Sequence, residues 1–267
     1  MNNTVALVGN PNTGKTTIFN AISDSYADVG NWTGVTVSKK IGHLKGTATQ
    51  LVDLPGVYSL SPITKDESVV TQYLLTNHPD LILNVTNASQ LQRNLLLTIE
   101  VCELGIPVLL DLNMIDDLHR TGYTYNLDQL SKQLHCKVIT TNARNHHGVA
   151  ALKKELGQEP SSVDPVKVPY PDDVEVAVDK AVTALTKEDF KPNFARWLAI
   201  QYINGCKPVR QYAATHQLTA LTKHRQEYDK AKLADAIYNA RLHFIERVLT
   251  SCRELVDGSY RPAMTAK

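Results

Sequence analysis

Short apolar runs alternate with segments of helical periodicity over about the first 157 residues of the chain. The apolar runs are Val5–Val8, Gln50–Asp53, Leu81–Thr86, Pro107–Asn113 and Lys137–Thr141. Between them, segments such as Leu91–Leu104 and Leu127–Leu134 repeat apolar residues with a period of about 3.6. Strands that alternate with helices form βαβ units, so the pattern predicts a mostly parallel sheet of six or seven strands with helices on both faces.

One more strand is predicted in front of the Lys45-Gly46 turn. Apolar and polar residues alternate through Thr36–Leu44, and this period of two is typical of a strand with one buried face. The turn would fold this strand back onto Gln50–Asp53 as a hairpin. Farther along, Thr64-x-x-Glu67 matches a capping box, which predicts the start of a helix over Glu67–Leu75.

A proline-rich stretch divides the chain into two parts. Residues 159–173 contain four prolines, and proline fixes φ and removes a backbone donor, so the stretch predicts a linker. The predicted organisation is an α/β domain over 1–160, a linker over 161–172, a small all-α domain over 173–260 and a tail over 261–267.

The pattern beyond the linker is wholly helical. Three helices are predicted from apolar stripes, one starting at the caps Asp172 and Asp173, one over Phe194–Ile203 that ends at Asn204-Gly205, and a long one near the end. The stripe positions are Val174, Val178, Val182 and Leu185 in the first helix, and Leu233, Ile237, Phe244 and Val248 in the last. Trp197 and Phe244 lie on such stripes and are expected in the core.

Composition narrows the function classes. The formal net charge is +1 with 21% charged residues and no basic or acidic tail, so wholesale binding to nucleic acid is not expected. No apolar run reaches the roughly 18 residues that span a bilayer, and the N-terminus lacks the features of a signal peptide. The four cysteines form no CxxC pair and are expected to be buried, reduced thiols. The pair His146-His147 is interpreted as part of a solvated loop.

The first motif binds phosphate. It follows the first predicted strand, precedes a helix that begins near Thr17, and fits the pattern G-x-x-x-x-G-K-[ST]. Its residues are Gly9, Asn10, Pro11, Asn12, Thr13, Gly14, Lys15 and Thr16. The glycines let backbone N–H groups turn toward phosphate oxygens, Lys15 supplies a cation, and the Thr16 hydroxyl is a ligand for Mg²⁺.

The second motif, Asp53-Leu54-Pro55-Gly56, ends a predicted strand about forty residues after the lysine. Asp53 can hold Mg²⁺ through water. The N–H of Gly56 can reach a γ-phosphate where a side chain would obstruct it.

Two further motifs indicate that the base of the bound nucleotide is guanine. Asn113-Met114-Ile115-Asp116 closes an apolar strand, and the Asp116 carboxylate can accept hydrogen bonds from N1–H and the N2 amine of guanine. Adenine lacks both donors and would leave the carboxylate unpaired. Asn142-Ala143-Arg144 follows the last predicted strand and would offer a backbone N–H to guanine O6. The four motifs in this order predict a Ras-like P-loop GTPase that uses Mg²⁺.

Several longer stretches are more specific than the general GTPase motifs. Because of them, nearly the whole chain resembles the cytosolic region of the ferrous iron transport protein B family. The stretches include the phosphate motif, Val29–Val37, Asp53–Pro62, Tyr73–Leu75, Asn84–Ala88, Arg93–Leu95 and Ala240–Glu246. The chain departs from the family pattern at Thr33, where proline is usual, at Asn87, where aspartate is expected, and at Asn142, where serine is usual.

The resemblance implies a catalytic arrangement. Thr36 would be the switch I threonine that closes on Mg²⁺ and the γ-phosphate. Asn12 would help to hold K⁺ against the phosphates, with carbonyl groups of the Gly30–Trp32 loop completing that site. Residue 57 is valine where a water-orienting glutamine would stand, and residues 25–38 contain no arginine, so hydrolysis is expected to be slow without K⁺.

The leading hypothesis is a GTP-hydrolysing switch at the cytoplasmic face of a bacterial membrane. It would regulate or drive iron(II) uptake through a transmembrane region outside this chain, and the helical domain would report the nucleotide state or slow GDP release. One alternative is a free-standing ribosome- or RNA-associated GTPase, although residues 161–267 have balanced charge and no GxxG loop. Another is a nucleotide sensor without useful turnover. Homo-oligomerisation is left open.

Overall fold

The computed structural model describes residues 3–32, 38–161, 164–223 and 230–256. The first part of the chain contains strands and helices in alternation. Its elements are β1 (Thr4–Gly9), α1 (Lys15–Ile22), β2 (Ser23–Asn31), β3 (Ser38–Leu44), β4 (Gln50–Asp53), α2 (Lys65–Asn77), β5 (Leu81–Asn87), α3 (Leu91–Cys102), β6 (Val108–Asn113), α4 (Ile115–His119), β7 (Tyr123–Tyr125), α5 (Leu127–Leu134), β8 (Lys137–Thr140) and α6 (Val149–Leu156).

The second part is almost entirely helical. Its elements are α7 (Asp172–Thr186), α8 (Pro192–Ile203), α9 (Lys207–Thr215), α10 (Thr219–Lys223), α11 (Lys230–Cys252) and the short strand β9 (Arg253–Leu255).

Seven strands form one sheet in the order β2-β3-β4-β1-β5-β6-β8. The pairs from β4 to β8 are parallel, whereas β2–β3 and β3–β4 are antiparallel. This confirms the mostly parallel sheet and the hairpin of β3 on β4. Strand β2 was not predicted from the sequence, because Ser23–Asn31 is polar and carries no alternation. It forms by pairing along β3 with two irregularities in register.

Two apolar layers cover the sheet. On one face, α1 and α6 pack on β1 and β5 through residues such as Phe19, Leu83 and Leu152. On the other face, the core under α2 and α3 continues into α7, α8 and α11 and includes Trp197 and Phe244, as predicted. The two parts of the chain therefore share one core, and breaking their contact would expose the α3 side of the sheet.

The predicted linker contributes to that shared core. Val166, Val168 and Tyr170 are buried, so this stretch packs rather than running free in solvent. Helix α7 begins at Asp172 with Pro171 at its N-cap, and among the described residues no side chain caps it. Asp172 and Asp173 therefore lie in the first turn, not at the cap position predicted for them, and favour the helix through its dipole.

Other local predictions agree with the structure. Thr64 and Glu67 form the capping box of α2, and α8 ends at Ile203 with Asn204 as its C-cap, ahead of Gly205, whose φ is +89°. All four cysteines are buried and free. The pattern beyond the linker is not wholly helical, because β9 pairs with β7 of the first part. Within the described ranges, no helix combines the length and apolar character needed to cross a bilayer.

Candidate functional site

The carboxyl ends of β1, β4 and β6, together with the segment that follows β8, lie along one edge of the sheet. Strands β1 and β4 are parallel neighbours with Leu7 opposite Asp53, and β6 and β8 are parallel neighbours with Leu112 opposite Thr140. Since all four motifs follow these strand ends, the fold brings them to the same edge. Ligands of open α/β sheets bind at such an edge.

The loop between β1 and α1 has the geometry of an anion-binding nest. Asn12 and Gly14 both have left-handed backbones, with φ of 65° and 84°, which turns successive N–H groups to one side ahead of the α1 N-terminus. A Cβ atom at Gly9 would lie 2.4 Å from the Val85 carbonyl oxygen. One at Gly14 would lie 2.3 Å from Asn113 Nδ2. Both glycines are therefore required by space, and Gly14 by conformation as well.

Lys15, Thr16 and Asp53 form a cluster beside this loop. The Lys15 ammonium forms an ion pair with the Asp53 carboxylate, and both side chains are buried. The Thr16 hydroxyl lies 3.3 Å from the second carboxylate oxygen. A hydroxyl and a carboxylate at this spacing are hard oxygen donors, the type that Mg²⁺ prefers.

The segment after Asp53 crosses directly over the phosphate loop. The Val57 N–H donates to the Gly9 carbonyl at 3.1 Å. A Cβ atom at Gly56 would lie 3.1 Å from Pro11 Cα, so the backbone approaches the loop more closely than a side chain would allow. Gly56 therefore presents bare backbone beside the anion-binding loop.

Asn113 ties three of the motifs together. Its Nδ2 donates to the Thr13 carbonyl at 2.8 Å, and its Oδ1 accepts from the Ala143 N–H at 3.0 Å. The side chain is buried. One amide thus joins the phosphate loop to the segment after β8, and it fixes the spacing between the phosphate site and the predicted base site.

The predicted base-contacting residues surround this amide. Met114 has a left-handed backbone (φ 59°) at the start of α4, and Asp116 lies in the first turn with 36% of its side chain exposed. The Asn142 side chain accepts from the Arg144 N–H at 3.2 Å, while Ala143 is buried. His146 and His147 are exposed in the same loop, as predicted. Asp116 keeps open acceptor capacity toward solvent.

The predicted potassium ligands are less clearly assembled. Thr36 falls outside the described residues. Gly30 belongs to β2, where it pairs with Lys39, so the segment predicted as a loop is partly a strand. Trp32 packs edge-on against Tyr73 of α2 at 5.7 Å between ring centroids. Asn12 is exposed at the tip of the phosphate loop. These assignments remain predictions.

Two polar residues of this edge are buried in a way that the sequence did not predict: Asn10, which was predicted only as part of the phosphate motif, and Asp111, which was not singled out. The Asn10 side chain is buried, and both its amide atoms lack a partner within the described structure. Asp111 is fully buried inside β6, where the Thr141 hydroxyl contacts it. An acid in an otherwise apolar run is a signal that the sequence does contain, since unpaired buried acids are rare.

The segment after Gly56 also contacts the helical part of the chain. The buried carboxylate of Glu100 in α3 accepts from the Leu60 N–H at 2.6 Å and from the Ser59 hydroxyl at 3.1 Å. The same carboxylate accepts from Arg241 of α11 at 2.7 Å, and Arg241 also reaches Glu103 at 2.7 Å. Burial raises the pKa of Glu100, and the neighbouring Arg241 opposes that shift. One carboxylate therefore links residues 59–60 to the second domain.

Sequence models of two protein regions match the chain. Residues 3–156 match the family described as ferrous iron transport protein B, and residues 170–254 match the FeoB cytosolic helical domain. The Fe(2+) transporter FeoB of Staphylococcus aureus strain MSSA476 is 36% identical over 249 residues, which cover 91% of this chain and 38% of that protein. The Escherichia coli K12 transporter of the same name is 38% identical over 246 residues, covering 88% and 32%. The chain thus spans between about a third and two fifths of these relatives.

Solved structures of FeoB cytosolic regions have the same fold as this chain. The cytosolic domain of Legionella pneumophila FeoB superposes with a TM-score of 0.84 at 32% identity, covering 94% of this chain and 99% of that one. A GDP-bound mutant of the S. thermophilus FeoB G-domain gives 0.80 at 35% identity, covering 94% and 100%. With its P-loop G domain followed by a cytosolic helical domain, the chain belongs to the ferrous iron transport protein B (FeoB) family.

Proposed function

We propose that this chain binds GTP with Mg²⁺ and hydrolyses it slowly to GDP and phosphate. We propose further that it serves as the nucleotide-operated switch of a longer iron(II) transporter. The observation that carries the proposal is the position of Asn113, whose single amide joins the phosphate loop to the segment next to Asp116. A phosphate cradle and a base-selecting carboxylate are thereby held at a fixed spacing.

The backbone of the phosphate loop already has a conformation that attracts an anion. The inward-turned N–H groups of residues 12–14, the α1 N-terminus and the Lys15 ammonium favour phosphate, with Thr17 in the first turn of α1. Lys15 is paired with Asp53. We expect it to transfer to the β- and γ-phosphates when nucleotide binds, which frees the carboxylate for a cation.

Mg²⁺ fits the freed group of oxygens. Thr16 and Asp53 would hold it, with Thr36 as a further ligand in the triphosphate state. Bound Mg²⁺ would neutralise charge on the β- and γ-phosphates. Gly56 would place its N–H against the γ-phosphate, since its backbone already lies against Pro11.

The hydrolysis rate is proposed to depend on K⁺. Valine follows Gly56, and no arginine lies between residues 25 and 38. Asn12, with carbonyl groups of Gly30 and Trp32, would hold the monovalent cation, which would offset charge at the leaving oxygen. Because Gly30 pairs within β2, this site would require the end of that strand to rearrange when GTP binds.

The larger role follows from the relatives. Curated homologues are named Fe(2+) transporters, and S. thermophilus and T. maritima structures are described as GDP forms. We propose that this chain works at the cytoplasmic face of the membrane beside a transmembrane region of the same protein. The matched regions give no support to the alternative of an RNA-associated GTPase.

Base selection is the sharpest test of the binding claim. Calorimetry with Mg²⁺ should show GDP and GTP binding at least about 100-fold more tightly than ADP and ATP, because adenine leaves Asp116 unpaired. Asp116→Asn should remove this preference and favour xanthosine nucleotides, whose O2 carbonyl can accept from the new amide. Asp117→Asn is the neighbouring control, since Arg120 lies closer to Asp117, at 2.7 Å, than to Asp116, at 3.7 Å. Equal affinity of the wild type for guanosine and adenosine nucleotides would end the proposal.

Single-turnover hydrolysis tests the catalytic claim separately. The rate should be higher in K⁺ than in Na⁺, and Asn12→Ala should lose this difference while still binding GDP. Asn239→Ala, at an exposed position of α11, should behave like the wild type. Equal wild-type rates in the two salts would refute the potassium site, and no phosphate release in either salt would favour a sensor without turnover.

A further inference from the structure

Asp111 is a carboxylic acid held inside the sheet. It sits in the middle of β6 between two leucines and is fully buried. The Thr141 hydroxyl lies 2.7 and 3.0 Å from its two carboxyl oxygens. Among the described residues, we find no other hydrogen-bond partner for this carboxyl group. A buried carboxylate that is ionised without a charged partner costs free energy. We therefore expect Asp111 to be protonated or to have a function that offsets this cost.

Thr141 stands between Asp111 and the amide that ties the site together. Its hydroxyl oxygen lies 3.1 Å from Asn113 Oδ1 as well as against Asp111. The orientation of the Asn113 amide is fixed independently, because Nδ2 must donate to the Thr13 carbonyl and Oδ1 must accept from the Ala143 N–H. The Thr141 oxygen therefore faces three acceptor oxygens and has a single proton to give.

The proton of Asp111 decides where that hydroxyl points. When Asp111 is ionised, the charge attracts the hydroxyl proton, and Asn113 Oδ1 faces an oxygen lone pair across 3.1 Å. When Asp111 is protonated, it donates to the Thr141 oxygen, and Thr141 donates to Asn113. A continuous chain of donors then runs from Asp111 through Thr141 to Asn113 and holds the amide against the phosphate loop.

We propose that Asp111 is a positioning residue for guanine recognition, acting through Thr141 on Asn113, and that its protonated form is the one that holds the base site in place. This rests on the proposed function, since it assumes that guanine binds beside Asn113. It assigns to the buried acid an effect on nucleotide affinity without any contact with the nucleotide.

The electrostatic surroundings agree with a proton that is exchanged near neutral pH. Burial raises the pKa of Asp111 to about 7, and only the Thr141 hydroxyl opposes that shift. Neighbouring β5 contains no ionisable residue, and α1 supplies Lys15, which is paired with Asp53. The remaining charged and titratable groups on the elements that cover this face are Lys137 of β8, Arg144, His146 and His147 of the loop after it, and Lys153, Lys154 and Glu155 of α6. None of them shifts the pKa of Asp111.

The sign of the effect follows from linkage. If the protonated form binds guanosine nucleotide better, affinity decreases as pH rises through about 7, and nucleotide binding raises the pKa of Asp111. The gain of one neutral hydrogen bond to Asn113 predicts about fivefold tighter GDP binding at pH 6 than at pH 8. The ionisation of GDP itself and of the loop histidines also changes with pH, so the informative quantity is the difference between variants.

Asp111→Asn isolates the effect. The new amide can donate to the Thr141 oxygen at every pH and so imitates the protonated acid. We expect its GDP affinity at pH 8 to exceed that of the wild type by about fivefold, and the two proteins to converge at pH 6. Thr141→Val breaks the chain and should bind GDP weakly at both pH values, with the pH response due to Asp111 removed. Identical pH profiles for wild type and Asp111→Asn would overturn the proposal.

One measurement needs no substitution. The ¹³C shift of the Asp111 carboxyl, followed by NMR during a pH titration of the wild type, gives its pKa with and without saturating Mg²⁺-GDP. A higher pKa in the GDP complex is expected, and an equal or lower value contradicts the proposal. A wild type that binds GDP no better than ADP at any pH would instead refute the proposed function, so the two failures are distinguishable.

Discussion

The proposed guanine-binding edge and the domain interface behind residues 59–60 are built largely from different interactions. Around Asn113 the edge is held by neutral hydrogen bonds, and the buried Lys15–Asp53 ion pair lies at its phosphate end. Within the described structure the Asn10 amide lacks a partner, and Asp116 is partly exposed. The interface is held by buried charge, with Arg241 fixed between Glu100 and Glu103. Tyr170 completes this set by donating to Glu103 and accepting from the Arg241 Nε–H.

At the edge, a ligand must supply partners for some polar groups, whereas at the interface the fold itself supplies the partners of the charged groups. Buried polar groups without partners destabilise the folded chain until a ligand pairs with them. Nucleotide binding should therefore order this edge. The charges at the interface already satisfy one another, and breaking one contact leaves the others buried and unpaired. We therefore expect mutations at the interface to reduce stability and mutations at the edge to reduce affinity.

Arg241→Met should have the largest effect. It removes the cation between two buried carboxylates, and breaking a buried ion pair in this way costs about 3–5 kcal/mol. The free energy of unfolding in urea measures the loss. Arg247→Met is the control on the same helix, because Arg247 is exposed, and substitutions at such sites change stability by about 0.5 kcal/mol or less. Equal effects of the two substitutions would mean that the buried charges are not what holds the domains.

Gly14→Ala should have the next largest effect, which is expected on the affinity for GDP. The new Cβ would meet Asn113 Nδ2 at 2.3 Å in a left-handed backbone and so separate the phosphate loop from the base site. We expect GDP binding by calorimetry to weaken by about 100-fold, since a conformational strain and a buried hydrogen bond are involved together. Gly46→Ala is matched in backbone, with φ of +77°, but a Cβ atom there would meet no atom of the described residues within 4 Å. It should leave affinity unchanged, and a similar loss there would point to backbone strain alone.

Glu100→Gln tests the carboxylate that both domains share. An amide can accept on one side only, so either the Leu60 N–H or Arg241 loses a partner, at a cost of about 1–3 kcal/mol. Burial raises the pKa of Glu100 in the folded chain. The folded state therefore binds the proton better than the unfolded state, and wild-type stability falls as pH rises above 4.5 through the folded pKa. The free energy of unfolding in urea should differ less between wild type and variant at pH 8 than at pH 5. A larger difference at pH 8 would contradict this assignment.

Sequence reasoning predicted the features that are local along the chain. The phosphate loop, the capping box of α2 and the alternation of β3 each depend on residues a few positions apart, and the structure contains all three elements. Strand β2 escaped prediction because its pairing with β3, not its own polar sequence, holds it in the sheet. The Asp111–Thr141 contact depends on β6 and β8 lying side by side, and Arg241 meets acids some 140 residues earlier. Neither pairing leaves a pattern in one sequence.

The smallest expected effect concerns Ser61, the next polar contact between the segment after Gly56 and the helical domain. Its hydroxyl accepts from Asn204 Nδ2 at 3.0 Å and donates to Gln201 Oε1 at 3.3 Å. Gln201 Nε2 is already buried without a partner in the described structure, so this contact is incomplete where the Arg241 cluster is complete. Ser61→Ala should therefore cost only about 0.5–1.5 kcal/mol in urea unfolding. Ser68→Ala is the control, because Ser68 is half-buried in α2 and donates only to the Lys65 carbonyl within its own helix. A loss at Ser61 as large as that of Arg241→Met would show that neutral contacts, not buried charges, dominate this interface.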